Sequence, residues 1–185
     1  MMRVASTPET AMVDPIAAAL AETDLLQTLA PSELARVAEV GRVEHWLEEA
    51  IVLEEGAFGP RMMVILEGQV EVLRRDRAGV ERAIARLGPG EVLGEMSLLL
   101  DMPRTATVRA LSPLKVFAMD RTAFLDLVQL SDPAVLRLGL ELSRVLAKRL
   151  TTLNDKVMDL LSENAELRVR FGEARQEVFH LWEID

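Results

Sequence analysis

The chain has 185 residues, half of them apolar, with 21 Lys and Arg against 30 Asp and Glu and a formal charge of −9. That length suits one ordinary domain with an extension, or at most two small domains, and the acidic balance gives no electrostatic footprint for nucleic acid. The absence of cysteine excludes a disulfide framework and thiolate chemistry, the two histidines, His45 and His180, lack ligand-like spacing for a metal, and no apolar run approaches the roughly 18 residues of a membrane span.

Residues 1–13 carry no periodic pattern and read as a flexible lead-in. From Asp14 to Leu47 the pattern predicts helix. Leu25, Leu26 and Leu29 form one apolar face, Pro31-Ser32-Glu33 marks a fresh helix start, and Gly41 closes that helix. From Ile51 to about Asp120 short β-rich runs alternate with turn signals. Ile51–Leu53, Met63–Leu66, Val70–Leu73, Ala83–Leu87, Thr105–Ala110 and Leu114–Met119 are separated by glycines at 56, 68, 79, 88 and 90 and by Pro103 and Pro113. This spacing predicts an antiparallel barrel or sandwich. Thr122–Leu130 reads as a short amphipathic helix. Ser131-Asp132-Pro133 then supplies a cap residue and a proline at the first helical position, opening a helix that extends toward Trp182, about 50 residues and about 75 Å long.

From Leu146 onward the apolar positions step by four and three. With Leu146 at d, leucine fills d at 153, 160, 167 and 181, with Ala174 the exception, and Leu150, Val157, Asn164, Phe171 and Val178 occupy a. Leucine at d with a single asparagine at a is the pattern of a parallel two-stranded coiled coil, in which the asparagine fixes register and strand number at some cost in stability. The chain is therefore expected to homodimerise.

The chemistry concentrates in residues 94–108, GEMSLLLDMPRTATV. Gly94 permits a backbone conformation closed to other residues and a close approach by a ligand. Glu95–Leu100 is long enough for one or two helical turns, whose first N–H groups suit an anion, and Arg104 follows just after Pro103. A guanidinium with free N–H groups and the Thr105 hydroxyl suits a phosphate, while an ionised Glu95 suits a hydroxyl donor. A ligand with both groups is a nucleotide. A lone arginine, without a P-loop lysine, points to a singly charged phosphate with no metal and no transfer.

The stretch GEMSLLLDMPRTATVRA resembles the phosphate-binding cassette of the cyclic nucleotide-binding domain family. The upstream text from EEGAFGP to GPGEVLGE resembles that family's eight-stranded β-roll, and the likeness covers about Leu25 to Val157. The resemblance implies an α+β chain: a jelly-roll-like antiparallel β-roll with flanking helices over residues 14–132, followed by a C-helix extended as a coiled coil over 133–185. It also implies roles at matched positions. Glu95 would take the ribose 2′-hydroxyl and Arg104 the cyclic phosphate, with Gly94, Met96, Ser97 and Thr105 contributing backbone or hydroxyl contacts. The family often has glycine before the second strand, where this chain has Glu49. The text LAKRLTTLNDKV resembles the C-helix of the catabolite activator family, whose adenine-contacting pair aligns with Leu153 and Asn154. Leu153 is a d position and packs, so Asn154 is the expected base contact, with Thr151 and Thr152 as alternatives. The base stays open between adenine and guanine, with cyclic AMP favoured over cyclic GMP.

In the catabolite activator family a DNA-reading helix-turn-helix domain follows the C-helix. The 35 residues after Leu150 instead continue the heptads, and residues 146–185 hold six Lys and Arg against eight Asp and Glu. The expectation is a stand-alone cytoplasmic cyclic nucleotide sensor, not an enzyme, that signals to a separate protein partner rather than to DNA. Two rivals are a ligand-independent scaffold with a degenerate β-roll and a transcription regulator acting without a helix-turn-helix.

Overall fold

The computed structural model describes residues 15–100 and 102–164. The lead-in through residue 13 and the heptads from residue 165 onward lie outside the described residues. In chain order the elements are α1 (Pro15–Ala21), α2 (Pro31–Glu39), β1 (Gly41–Trp46), β2 (Ile51–Leu53), β3 (Arg61–Glu67), β4 (Val70–Arg75), β5 (Glu81–Leu87), β6 (Val92–Leu93), α3 (Glu95–Leu99), β7 (Thr107–Ala110), β8 (Leu114–Asp120), α4 (Arg121–Gln129) and α5 (Pro133–Glu163).

The strands form two four-stranded antiparallel sheets, ordered β1-β8-β3-β6 and β2-β7-β4-β5. This is the antiparallel β-roll with flanking helices expected from the sequence. Side chains alternate across a strand, so cross-strand partners share a face. Met63 pairs with Ala118 and Ile65 with Val116, and all four enter the core between the sheets, together with Val52, Leu53, Val70 and Val108 of the second sheet. Met62 pairs with Met119 and Val64 with Phe117 on the opposite face. These four are also fully buried, because α3 packs on β3 and α4 on β8. The first sheet is therefore covered on both sides, which explains why β3 and β8 read as nearly continuous apolar runs.

Two expectations at the N-terminal end are corrected. Residues 41–46 are not the tail of a helical region but strand β1, paired with β8 from Gly41↔Met119 to Trp46↔Leu114. Gly41 does not close a helix in open space. A Cβ there would sit 2.1 Å from Cζ of Phe117, so the glycine makes room for the core aromatic. Residues 22–29 form turns rather than helix, and the Thr23 hydroxyl donates to the Leu20 carbonyl at 2.7 Å, a local bond that competes with helix continuation. Leu25, Leu26 and Leu29 are buried nonetheless.

Asp132 caps α5 by accepting from the Ala134 N–H at 3.0 Å, and its other carboxylate oxygen accepts from Nε of Arg36 on α2 at 3.0 Å. Further along the same face Arg137 pairs with Glu33 at 3.4 Å, and the Thr28 hydroxyl donates to Glu141 at 2.8 Å. With Val135, Leu138 and Leu142 fully buried, the start of α5 belongs to the first compact unit, which ends at Leu142. The second unit begins at Ser143, and its described part is the remainder of α5 together with Asn164, which lies just past the last helical residue.

Glu49 has φ 64°, a left-handed conformation that favours glycine, and its N–H donates to the Ala110 carbonyl at 2.9 Å. Its carboxylate is 68% exposed and 3.9 Å from Arg109, so that ion pair contributes little. Glu49→Gly should therefore raise stability by about 0.5 kcal/mol, or about 2 °C in Tm, by relieving the Cβ strain. Thermal melting checks this, and a lower Tm would show that the backbone here is not strained.

Candidate functional site

Arg104 enters the site from an extended segment whose backbone is fixed before β7 begins. Its N–H donates to the Ala57 carbonyl at 2.9 Å, and its carbonyl accepts from the Gly56 N–H at 2.8 Å. The Thr107 hydroxyl accepts from the Glu55 N–H at 3.0 Å. These bonds hold residues 104–106 against the loop between β2 and β3 and delay the strand. The expected strand over Thr105–Ala110 thus begins only at Thr107.

Arg104 is buried, with 5% of its surface exposed. Nη1 donates to the Gly94 carbonyl at 3.2 Å and Nη2 to the Arg61 carbonyl at 2.8 Å. Gly94 is needed here for two reasons. Its φ of 69° turns the chain from β6 into α3, and a Cβ at that position would lie 2.3 Å from Nη1 of Arg104 and 2.8 Å from the Arg61 carbonyl. Gly59 covers the other side, where a Cβ would stand 3.5 Å from Nη2.

The electrostatics follow from this packing. Burial is the main force pushing the Arg104 pKa down. The neighbouring Arg61 adds to it, and the Glu95 carboxylate works in the opposite direction. No carboxylate bonds the Arg104 guanidinium among the described residues; its two acceptors are backbone dipoles. A desolvated cation held only by carbonyls gains from an incoming anion both Coulomb energy and charge-assisted hydrogen bonds. The neighbouring Arg61 guanidinium, by contrast, already has its anion: it pairs with Glu44 at 3.0 Å, which also pairs with Arg42 at 2.9 Å.

The residues expected from sequence separate into three groups. Gly94, Glu95, Met96 and Ser97 open α3 beside Arg104, with Glu95 and Ser97 buried at 5% and 4%. Thr105 adjoins Arg104 in sequence but is exposed. Asn154 lies on α5 in the second unit, exposed. Sequence reasoning missed Gly59 and Arg61. The glycine-rich text EEGAFGP hinted at a close approach, but Arg61 serves through its carbonyl, which no side-chain pattern signals. A cavity of about 300 Å³ lined by Glu22, Asp24, Glu67, Gly90 and Lys115 shares no residue with this site.

The family model for the cyclic nucleotide-binding domain matches residues 43–131. The CRP-like cAMP-activated global transcriptional regulator of Mycobacterium tuberculosis is 29% identical over 150 residues, covering 81% of this chain and 65% of that protein. The cyclic AMP receptor protein of Thermus thermophilus is 32% identical over 152 residues, covering 80% of this chain and 67% of that protein. The crystal structure of the Thermus thermophilus catabolite activator protein superposes with a TM-score of 0.66 at 30% identity, over 75% of this chain and 62% of that one. The chain thus spans about two-thirds of the length of these relatives. Residues 43–131 take in both sheets apart from the first two residues of β1, together with the glycine turn into α3 and Arg104, and the chain belongs to the cyclic nucleotide-binding domain family.

Proposed function

We propose that this chain is a cyclic nucleotide sensor that binds cyclic AMP in preference to cyclic GMP, acts by binding rather than catalysis, and works in the cytoplasm. The observation that carries this reading is the buried Arg104 guanidinium, which lacks an anionic hydrogen-bond partner among the described residues and sits beside a buried Glu95. A cyclic phosphate would take over the donors now spent on Gly94 and Arg61, and Glu95 would accept from the ribose hydroxyl. Met96, Ser97 and Thr105 would line the same pocket, and Asn154 would be the base contact. The likeness to a cAMP-activated regulator of Mycobacterium tuberculosis and to the cyclic AMP receptor protein of Thermus thermophilus favours cyclic AMP.

Calorimetry with cyclic AMP and cyclic GMP tests the ligand. Binding of cyclic AMP is expected, and Arg104→Ala should weaken it about 100-fold, the loss of charge-assisted bonds to a buried phosphate. Gly94→Ala should weaken it by a similar factor, because the new Cβ occupies the space of Nη1. A folded protein that gives no heat with either nucleotide would be a ligand-independent docking module, and an Arg104→Ala chain that binds like the parent would exclude this site.

The second part of the proposal is homodimerisation through α5, with the signal passed to a separate protein. Leu150, Leu153 and Leu160 stand 59%, 58% and 56% exposed on α5, a leucine stripe that needs cover. A second copy in parallel register supplies it through the a and d positions. Light scattering should give a dimer, Leu153→Asp a monomer, and Asn164→Leu a higher melting temperature with looser choice of oligomer. A parent chain that is monomeric at micromolar concentration overturns this part.

A further inference from the structure

We infer that Arg121, the first residue of α4, is a positioning residue that couples α3 to α4 by gripping the same two segments that hold Arg104. Its Nε donates to the Leu98 carbonyl at 3.0 Å, and its backbone N–H donates to the Pro60 carbonyl at 2.7 Å. Arg104 donates to Gly94 and to Arg61. Gly94, which caps α3, and Leu98 within it are about one helical turn apart, and Pro60 and Arg61 are adjacent at the start of β3. Two arginines from different parts of the chain therefore clamp one pair of backbone segments.

The Leu98 carbonyl needs such a partner. It belongs to the last turn of α3, and the Met102 N–H that would close a helical bond to it donates instead to the Leu100 carbonyl at 3.0 Å. Leu98 is fully buried, and among the described residues Arg121 is the donor that meets its carbonyl. A guanidinium at the C-terminal end of a helix meets both the hydrogen bond and the dipole. The same side chain begins α4, which leads through Leu130 and Ser131 to the buried first turns of α5.

A shift of α3 against residues 60–61 therefore either breaks the bond from the Arg121 side chain to the Leu98 carbonyl or pulls the Arg121 N–H, and with it the start of α4, off the Pro60 carbonyl. The ligand as the cause of that shift rests on the reading given under Proposed function: a phosphate that draws Arg104 away from the Gly94 and Arg61 carbonyls loosens one clamp and leaves Arg121 as the other. The mechanical link itself does not depend on the ligand.

The test is a double-substitution cycle on the full chain, read by amide hydrogen exchange at residues 125–129, whose N–H groups bond within α4. Without nucleotide, Arg104→Ala should speed exchange there about tenfold in the parent, and less than about twofold when Arg121→Met is already present, the non-additivity expected of a shared network. Arg121→Lys, which keeps a donor and a charge, should restore the parent response and remains available if Arg121→Met folds poorly. Equal acceleration in the parent and Arg121→Met backgrounds, or no restoration by lysine, overturns the inference. With cyclic AMP, the parent and Arg121→Lys should show altered exchange in α4, whereas Arg121→Met should bind but show no such change. A parent that fails to bind cyclic AMP refutes the ligand reading, while the nucleotide-free cycle still decides the role of Arg121.

Discussion

A buried guanidinium held by two backbone carbonyls organises this molecule. Arg104 has 5% of its surface exposed, and among the described residues its guanidinium is met by the Gly94 and Arg61 carbonyls. That arrangement requires three chain segments to meet within hydrogen-bond distance: the turn into α3, the start of β3 and the stretch before β7. Each is fixed by other means. Gly94 adopts φ 69°, β3 pairs with β8 along its length, and the backbone of Arg104 is tied on both sides to residues 56 and 57. The cation is thus buried among backbone groups that other contacts already hold in place.

The scaffold's rigidity comes from the double burial of the first sheet. Met63 and Ile65 fill the core between sheets while Met62 and Val64, on the other face, lie under helices. α3 and α4 are therefore not appendages but the second layer of a three-layer packing, and a displacement of either is felt in the strands beneath. The polar contacts Arg36–Asp132, Glu33–Arg137 and Thr28–Glu141 extend the same packing to the start of α5. The site and the beginning of the long helix accordingly share one compact unit.

Much of the fold was legible because the sequence repeats its signals. Strand runs at β2, β3, β4, β5 and β8 are bounded by glycine or proline turns, and the cap Asp132 with Pro133 marks α5 clearly. β1 was misread because Gly41 sits where a helix C-cap would, whereas its absent Cβ serves Phe117, a residue 76 positions later in the chain. The late start of β7 at Thr107 escaped notice for a similar reason: Thr105 and Ala106 have strand-like neighbours, but the backbone of Arg104 is claimed by the loop at residues 56 and 57. Each failure is a long-range contact overriding a local preference.

The sequence by itself determined that short antiparallel strands lie between helices, because turn signals are properties of residue types at short spacing, and its likeness to the cyclic nucleotide-binding domain family marked Gly94, Glu95 and Arg104 as the candidate site. Only the tertiary structure decided that Arg104 is buried rather than merely present, that its hydrogen bonds go to carbonyls of Gly94 and Arg61, and that Arg121 grips the same segments from the other side. The physical reason is that backbone carbonyls are identical at every position of the sequence. Which of them are left without a helical or strand partner, and so become acceptors for a guanidinium, is set when distant segments are brought together.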